Sequence, residues 1–502
     1  DVDGPSQDEV LHSFGPSAGE VQPIHPGSYL LADKPIDAEA TTAGLTLEVW
    51  VRRWRTVGRQ AILSQFDGPD ACGFGLFVEE DGALGFYVGD GGRYDAAAML
   101  TTPPGQLVMT IEPMGLNHYP DNTPSSVASN QWHHVVAVFD GKARQVWVDG
   151  RQVASAEGGV AFRPGPAPLR IGAAGDQGAA SELLDADVAM PAIYGRALSA
   201  TEIEARFADS ALTPPTDPAL LACWPLTEER GDRVADASGR GRDARIVNRG
   251  TWMIGGPSFA ADVPRFGDYD PAKDPRRGHG IRLASDDLYD CRWKVSHEYR
   301  LPEEARSGIY VGRIRFQQDG EERLYHAVFL VKKSAARKRA PIALLCATNS
   351  WKAYAATPFS PSWSGLKKSI GNNGFANAAA DAPAFCFYRP HHGGQGTYQI
   401  GFRTPWPIVG PYTTMGPEEW DYSHLCRQDR FTQTWLEEQG YDYDVLSDSD
   451  LDRDPNALDG YKVLYVVGHS EYWTFEAMEN VDRFLQRGGS AVVLSGNTAF
   501  WR

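Results

Sequence analysis

The chain lacks the features that would place it in a membrane or on nucleic acid. Its 502 residues contain no apolar run of the length that a membrane-spanning helix needs, about 20 residues. Positive charge is in deficit, because 48 Lys and Arg stand against 65 Asp and Glu, for a net charge of −17 at pH 7. Such an excess of negative charge argues against general binding to nucleic acid or anionic membranes. The sequence therefore predicts neither kind of partner.

Cysteine is scarce and forms no short paired motif. Six Cys residues are spread along the chain without a Cys-x-x-Cys, so neither a zinc ribbon nor a thioredoxin-type motif is supported. Cys346 and Cys386 lie in apolar runs, as is typical of reduced core cysteines. We therefore expect a reducing compartment and a cytoplasmic protein.

The sequence also lacks an initiating Met and an apolar signal segment at its start. Its last residues follow directly after a strand-like apolar run at 491–494. We expect a piece of a longer chain, with some site residues beyond residue 502.

A chain of this length exceeds what one hydrophobic core holds, so several domains are expected. Short alternating apolar and polar runs separated by Asp-Gly pairs are typical of antiparallel strands in a β-sandwich. Pro and Gly then mark a linker. The predicted parts are a polar N-terminal segment (1–24), a β-sandwich (25–258), a linker (259–287), a small β segment (288–335) and an α/β domain (336–502).

In the last part, strand-like and helix-like patterns alternate. The apolar runs at 341–348, 463–467 and 490–495 are typical of buried parallel strands, and 429–439 and 476–487 are typical of helices. Repeated β-α-β units predict a right-handed, doubly wound parallel sheet. The predicted fold class is thus multidomain, β plus α/β.

His469 and Glu471 stand directly after one of these strands, following Gly468. Ligands bind at the carboxyl ends of strands in open α/β sheets. If the backbone stays extended, the two side chains point the same way, which favours a metal or acid–base site. In the alternative interpretation, His469 caps a turn and Glu471 interacts with a helix dipole.

Longer motifs carry two family resemblances. Leu47-Glu-Val-Trp-Val51, Trp132-His-His-Val-Val136 and Val146-Trp-Val-Asp-Gly150 resemble the laminin-G/concanavalin-A-like jelly roll. The α/β part resembles the class I glutamine-amidotransferase-like fold, but His469-Ser-Glu471 stands where that family has its nucleophilic Cys. Amide transfer by a thiol is therefore not expected.

A more specific resemblance is carried by Thr348-Asn-Ser-Trp-Lys-Ala-Tyr354, Tyr388-Arg-Pro390, Trp420-Asp-Tyr422 and Gly468-His-Ser-Glu-Tyr-Trp473. These motifs, and the order of the domains, resemble the large (beta) subunit of the N,N-dimethylformamidase family. The resemblance implies iron-dependent hydrolysis of the C–N bond of small N-substituted amides by metal-activated water. N,N-dimethylformamide would give formate and dimethylamine.

The resemblance also implies the site. A mononuclear Fe(III) would be held by Tyr388, His469 and Glu471, which would be the catalytic residues, with Tyr354 and Tyr398 as alternative tyrosines. Hard oxygen ligands with one imidazole suit ferric iron, although such a set also accepts manganese or zinc. The family's general base would lie beyond residue 502. A small partner subunit, in a hetero-oligomer, is implied as well.

Dialkylamides carry no N–H, so their recognition must depend on shape and on the carbonyl oxygen. Aromatic side chains would wall a small dry pocket, while Asn and Arg would orient the carbonyl. The candidate substrate-binding residues are Asn349, Trp351, Tyr354, Phe387, Arg389 and Trp473. Core packing is the alternative for each aromatic residue, and Asn349 could equally cap a turn.

Two other functions compete with amide hydrolysis. The sandwich could bind carbohydrate or protein, with the α/β domain as a non-catalytic scaffold. A hydrolase that uses Ser470 beside His469 is disfavoured, because no Gly-x-Ser-x-Gly is present. His391 and His392, which precede two glycines, are interpreted as loop residues.

Overall fold

The protein is described here by a computed structural model. The residues that it describes are 22–68, 71–90, 99–107, 109–113, 126–158, 162–259, 275–295, 297–318, 320–334, 336–355, 387, 391, 399–406, 409–411 and 425–501. Among the sequence-predicted site residues, Tyr388, Arg389 and Tyr398 lie outside these ranges, as does Cys386.

In the described residues of the first half of the chain, strands are the main regular elements. Their bounds are β1 Tyr29–Ala32, β2 Leu45–Arg53, β3 Gln60–Asp67, β4 Ala71–Val78, β5 Leu84–Val88, β6 Leu100–Thr101, β7 Met109–Pro113, β8 Ser126–Asn130, β9 His133–Phe139, β10 Ala143–Val148, β11 Arg151–Glu157, β12 Arg170–Ile171, β13 Ala174–Asp176, β14 Ala179–Ser181, β15 Ala186–Tyr194, β16 Leu220–Cys223, β17 Arg233–Val234, β18 Ala244–Val247, β19 Thr251–Met253 and β20 Gly280–Leu283, with helix α1 at Ala200–Asp209.

Most of these strands form two antiparallel sheets. In the described residues the first sheet has the order β17-β18-β1-β12-β3-β4-β5-β6, and the second has the order β11-β10-β9-β2-β15-β20-β19, with β16 beside β15. Alternate residues of both sheets, such as Leu47 and Val49 on β2 and Leu76 on β4, belong to one buried core. The predicted β-sandwich is therefore confirmed: each sheet buries one face against the other.

Helix α1 covers the outer face of the second sheet and is bound to it through the buried carboxylate of Glu48. Ser199 and Glu202 form a capping box that begins the helix. Farther along, the Nε of Arg206 donates to Glu48 on β2 at 2.9 Å. Tyr194 also donates to Glu48, at 2.5 Å, and His134 lies 3.2 Å from it. Burial would raise the pKa of Glu48, but the hydrogen bond with His134 and the charge of Arg206 outweigh burial and lower it.

The sandwich extends into the stretch predicted as a linker. Strand β20 lies within 259–287 and pairs with both β15 and β19. Ile281 and Leu283 on this strand are buried in the core of the sandwich. The prediction of a linker was wrong at this strand. The strand has only four residues, of which two point into the core, and the Pro and Gly residues nearby are typical of a linker.

The remaining elements form a hairpin and a parallel sheet. They are β21 Gly308–Gln318, β22 Glu321–Val331, β23 Ile342–Cys346, α2 Thr348–Ala353, α3 Cys426–Glu438, β24 Tyr443–Ser447, α4 Asp448–Arg453, β25 Val463–Gly468, α5 Phe475–Gln486 and β26 Ser490–Ser495. In the described residues the sheet order is β24-β23-β25-β26, and every pairing is parallel. The doubly wound, amidotransferase-like assignment of this part stays a prediction. None of the helices in the described residues has the length and apolar character needed to cross a membrane.

The sandwich and the C-terminal part contact each other through buried polar groups. His391 is buried, and its Nδ1 lies 2.6 Å from a carboxylate oxygen of Asp286, just after β20. The backbone of Cys291 donates to the carbonyl of Arg403 at 2.8 Å. His391 lies in a loop, as interpreted from the sequence, but it is buried, and an acidic partner far away in the sequence makes that burial favourable.

We predict that Glu48→Ala destabilises the sandwich by about 3–5 kcal/mol, because it removes the buried carboxylate that pairs with the partly buried Arg206 and the buried His134. The midpoint of urea unfolding measures this loss. Glu204→Ala, on the exposed side of the same helix, is the matched control and should leave the midpoint within about 0.5 kcal/mol of wild type. An unchanged midpoint for Glu48→Ala would contradict the role given to this cluster.

Candidate active site at the carboxyl edge of the parallel sheet

The site lies where two neighbouring parallel strands end. Strands β23 and β25 pair in register from Ile342 with Val463 to Leu345 with Val466, so their carboxyl ends lie side by side. Helix α2 follows β23 almost directly, and the segment with His469 and Glu471 follows β25. Residues from distant parts of the sequence are thus brought to one edge of the sheet, as expected for an open α/β sheet.

Three side chains converge at this edge. The Oη of Tyr354 donates to Oε2 of Glu471 at 2.7 Å and lies 3.4 Å from Nε2 of His469. The same Nε2 lies 3.0 Å from Oε2 of Glu471. Tyr354 is 8% exposed, Glu471 is 3% exposed and the His469 side chain is 17% exposed. A phenol, an imidazole and a carboxylate therefore meet in a largely buried place.

A tight turn produces this convergence. Gly468 has a φ of +71°, in the left-handed region that favours glycine. The backbone N–H of Glu471 then donates to the carbonyl of His469 at 3.0 Å. The two side chains meet as predicted, but on a turn and not on extended backbone. At Gly496, an added Cβ would lie 3.1 Å from Nδ1 of His469, so glycine leaves the room that this ring occupies.

Glu471 is held by further partners that sequence reasoning missed. The indole N–H of Trp501 donates to its other oxygen, Oε1, at 3.1 Å. The backbone N–H of Glu471 donates to Oγ of Ser350 on α2 at 3.0 Å. Trp501 follows β26, the next strand of the sheet after β25. The order of the parallel strands was thus the signal that could have drawn attention to it.

Helix α2 is fixed to its neighbours by Asn349 and by a buried aspartate, Asp448. The backbone N–H of Asn349 donates to Asp448 at 2.7 Å, and Thr348 donates to the same oxygen at 3.2 Å. The side-chain amide of Asn349 donates to the carbonyl of Tyr472 at 3.1 Å. Asn349 therefore braces the site from outside the three converging side chains, and its role in substrate binding stays a prediction.

The aromatic candidates occupy different places. Phe387 packs its ring against Tyr472 with centroids 5.4 Å apart, and its backbone N–H donates to the carbonyl of Ala353, beside Tyr354. Trp351 is buried in the core, where its indole N–H donates to Asp429 at 2.9 Å. Trp473 lies in a different core cluster and donates to Ser470. Tyr354 and Phe387 thus adjoin the site, whereas Trp351 and Trp473 take the alternative role of core packing.

The carboxyl of Asp429 under the site is in an unusual state. It is completely buried, and burial raises its pKa well above the usual range despite hydrogen bonds from Trp351 and the backbone of Ala347. Burial likewise raises the pKa of the Cys346 thiol. Cys346 is buried and free, so its interpretation as a reduced core residue is confirmed.

The donor atoms decide what the site can hold. Among the described residues, no group of three or more His, Cys, Asp or Glu side chains has the arrangement of a metal site. At this edge of the sheet, the third candidate donor is the phenol oxygen of Tyr354. Donor atoms about 2.1 Å from one ion, in neighbouring positions, lie about 3 Å apart. The separations of 2.7, 3.0 and 3.4 Å suit such a set.

Comparison with protein families confirms the resemblances to the concanavalin-A-like jelly roll and to the N,N-dimethylformamidase beta subunit, whereas the glutamine-amidotransferase-like resemblance stays a prediction. Residues 271–502 match the family described as "N,N-dimethylformamidase beta subunit-like, C-terminal". Residues 27–204 match the "Concanavalin A-like lectin/glucanases superfamily". The sandwich is thus of the concanavalin-like kind. The site described above lies entirely within the first match.

Individual relatives agree with these matches. The N,N-dimethylformamidase beta subunit of Paracoccus aminophilus is 25% identical over 89% of this chain and 59% of its own length. The subunit of the same name from an Alcaligenes species is 24% identical over 95% of this chain and 62% of its own length. The chain thus spans about three fifths of these relatives. Among solved structures, the heptameric SAP-like pentraxin of Limulus polyphemus covers 49% of this chain and 95% of its own, at 14% identity and a TM-score of 0.28.

We predict that Asp429→Asn makes the folding stability of the protein less dependent on pH. With a raised pKa, the folded state keeps a proton that the unfolded chain releases above its ordinary value of 3.8. The contribution of Asp429 to stability is therefore full below that pH and is lost as the pH rises through the folded-state pKa. The variant lacks this loss, so the stability of wild type relative to the variant should fall between pH 5 and pH 8.

Thermal unfolding at pH 5 and pH 8 measures the difference. Asp482→Asn, at an exposed position on α5, is the control. If the difference in stability between Asp429→Asn and wild type is the same at pH 5 and pH 8, the raised pKa of Asp429 is contradicted.

Proposed function

We propose that this chain, which resembles the beta subunit of N,N-dimethylformamidase over most of its length, hydrolyses the C–N bond of small N-substituted amides. The observation that carries the proposal is the meeting of Tyr354, His469 and Glu471 within 3.4 Å of one another. It occurs inside the segment that matches the dimethylformamidase family. N,N-dimethylformamide, which would yield formate and dimethylamine, is the substrate we propose.

The donor set fits a mononuclear ferric ion. A phenolate and a carboxylate are hard anionic ligands, and one imidazole adds a borderline nitrogen. Glu471 and His469 would be two of the ligands. For the third, the contacts of Tyr354 favour its phenol, whereas the motif resemblance favours Tyr388. When bound, ferric iron would supply a Lewis acid that polarises the amide carbonyl and lowers the pKa of a water molecule.

The residues of the chain prepare this place for the reaction. Trp501 and Tyr354 hold the two oxygens of Glu471, so the carboxylate does not have to reorient when a ligand enters. Burial of Glu471 and Tyr354 keeps bulk water away, which strengthens every electrostatic interaction inside. The ring of Phe387 gives an apolar surface beside the site. Such a surface suits an amide whose nitrogen carries only alkyl groups.

The proposal also includes a partner subunit and a cellular compartment. Both relatives are named as beta subunits, which supports an enzyme of more than one kind of subunit. We propose a hetero-oligomer with a small partner subunit, in the cytoplasm.

We predict that His469→Ala removes both bound iron and amide hydrolysis, because it deletes the nitrogen ligand. Elemental mass spectrometry of the purified protein, with its partner subunit, measures the metal content. Release of dimethylamine from N,N-dimethylformamide measures activity. His297→Ala, at an exposed position, should keep both. A His469→Ala protein that hydrolyses the amide without metal would sink the proposal.

The two candidate tyrosines are distinguished by their spectra. A phenolate bound to ferric iron absorbs visible light through charge transfer, and phenylalanine cannot replace it. If Tyr354 is the ligand, Tyr354→Phe loses this absorption band while Tyr388→Phe keeps it, and the reverse result assigns Tyr388. A band that survives in both variants would exclude both residues as the ligand.

A further inference from the structure

A cavity of about 590 Å³ lies at the edge of the sandwich and shares no lining residue with the candidate metal centre. It is lined by residues of β19, β20, the end of β2 and the loop around Gly231, together with Gln399 of the C-terminal part. Its size lies within the range of small-molecule pockets. Because both parts of the chain line it, a ligand there would contact the sandwich and the C-terminal part together.

Positive charge is the main feature of the cavity. Among the described residues that line it, Arg52, Arg230, Arg249 and Arg282 are basic and Glu229 is the acid. The carboxylate of Glu229 lies 2.8 Å from Nε2 of His279, which is buried. This concentration of arginines stands out in a chain whose net charge is −17.

Two of these arginines are anchored on one buried carboxylate. Nε and Nη2 of Arg52 donate to Oδ2 of Asp187 at 2.9 and 2.8 Å. Nε of Arg282 donates to the other oxygen of Asp187 at 2.8 Å. The side chain of Asp187 is 2% exposed, whereas those of Arg52 and Arg282 are 26% and 19% exposed. The carboxylate thus lies beneath the guanidinium groups and fixes them, while the cations reach the solvent.

Two of the arginines, Arg52 and Arg249, make cation–π contacts with aromatic rings. The guanidinium of Arg52 lies 4.9 Å from the ring centre of Trp132, and that of Arg249 lies 4.9 Å from the ring centre of Tyr289. The ion pair of Arg249 with Asp232 is long, at 3.6 Å. Stacking orients a guanidinium without neutralising its charge.

Arg230 adds a cation that is exposed and makes no hydrogen bond or ion pair with the described residues. Trp252 and Ile254 contribute an apolar wall beside it. Arginine presents its donors as a planar fork that matches the oxygens of carboxylates and phosphates. Oriented cations next to an apolar wall suit a ligand with an oxyanion head and an organic body.

We propose that this cavity binds a small organic anion through a carboxylate or phosphate head group. The arginines hold the head group, and the wall of Trp252 contacts the organic body. The proposed amide hydrolysis does not require this site, so each of the two proposals can be tested without the other.

Isothermal titration calorimetry with benzoate, phenyl phosphate and benzyl alcohol tests the proposal. These probes share an aromatic body, and benzyl alcohol lacks the charge. We expect one or both anions to bind, more weakly as salt is raised, and benzyl alcohol not to bind. Binding of one anion alone identifies the preferred head group. Equal binding of benzyl alcohol, or no binding of either anion, overturns the proposal.

Matched variants locate the binding. Arg230→Gln with Arg249→Gln removes the two cations that do not hold Asp187, so the fold should survive, which thermal unfolding checks. We expect affinity to fall about tenfold or more, since charge-assisted hydrogen bonds are lost. Arg151→Gln, at an exposed position of the sandwich, is the control and should bind as wild type. Full affinity in the double variant overturns the proposal.

The candidate metal centre must be excluded as the place where the anions bind. His469→Ala should bind them as wild type does if the cavity is the site. Loss of anion binding in His469→Ala would overturn the proposal, whatever that variant shows for amide hydrolysis.

Discussion

The carboxylate of Glu471 is the interaction on which the candidate site depends. One of its oxygens receives the phenol of Tyr354 and lies next to the imidazole of His469, and the other receives the indole of Trp501. These partners come from three strand ends of one parallel sheet, β23, β25 and β26. Parallel pairing places those ends at one edge, so the register of the sheet sets the distances within the site. Any change that shifts one strand against another would separate the donor atoms.

Charge is distributed so that this carboxylate stands out. Burial raises the pKa of Asp429, which accepts a hydrogen bond from Trp351 on α2, and it also raises the pKa of the nearby Cys346 thiol. Asp448 is buried as well, but hydrogen bonds to α2 occupy it. The carboxylate of Glu471, by contrast, contacts the phenol of Tyr354 and the imidazole of His469, which are the donor groups of the proposed ferric site.

Sequence reasoning predicted the parts of this arrangement that local patterns encode. The sandwich follows from alternating runs and Asp-Gly turns, and His469 and Glu471 follow from their position after an apolar strand. Trp501 was missed because its contact depends on which strands are neighbours. Trp351 and Trp473 are buried in core clusters, and an aromatic residue in a family motif has no feature that separates core packing from a pocket wall, so their role in substrate binding stays a prediction. Strand β20 and the burial of His391 depend on partners far away in the chain, which a pattern of neighbours does not contain.

The sandwich is more than an appended module, because its last strand leads into the support of the site. Strand β20 runs into Asp286, which lies 2.6 Å from the buried His391. His391 lies only four positions beyond Phe387, whose backbone is bonded beside Tyr354. Phe387 and His391 thus contact the site and the sandwich, respectively. The buried contact of His391 with Asp286 therefore lies close in sequence to Phe387, whose backbone is bonded beside the phenol of Tyr354.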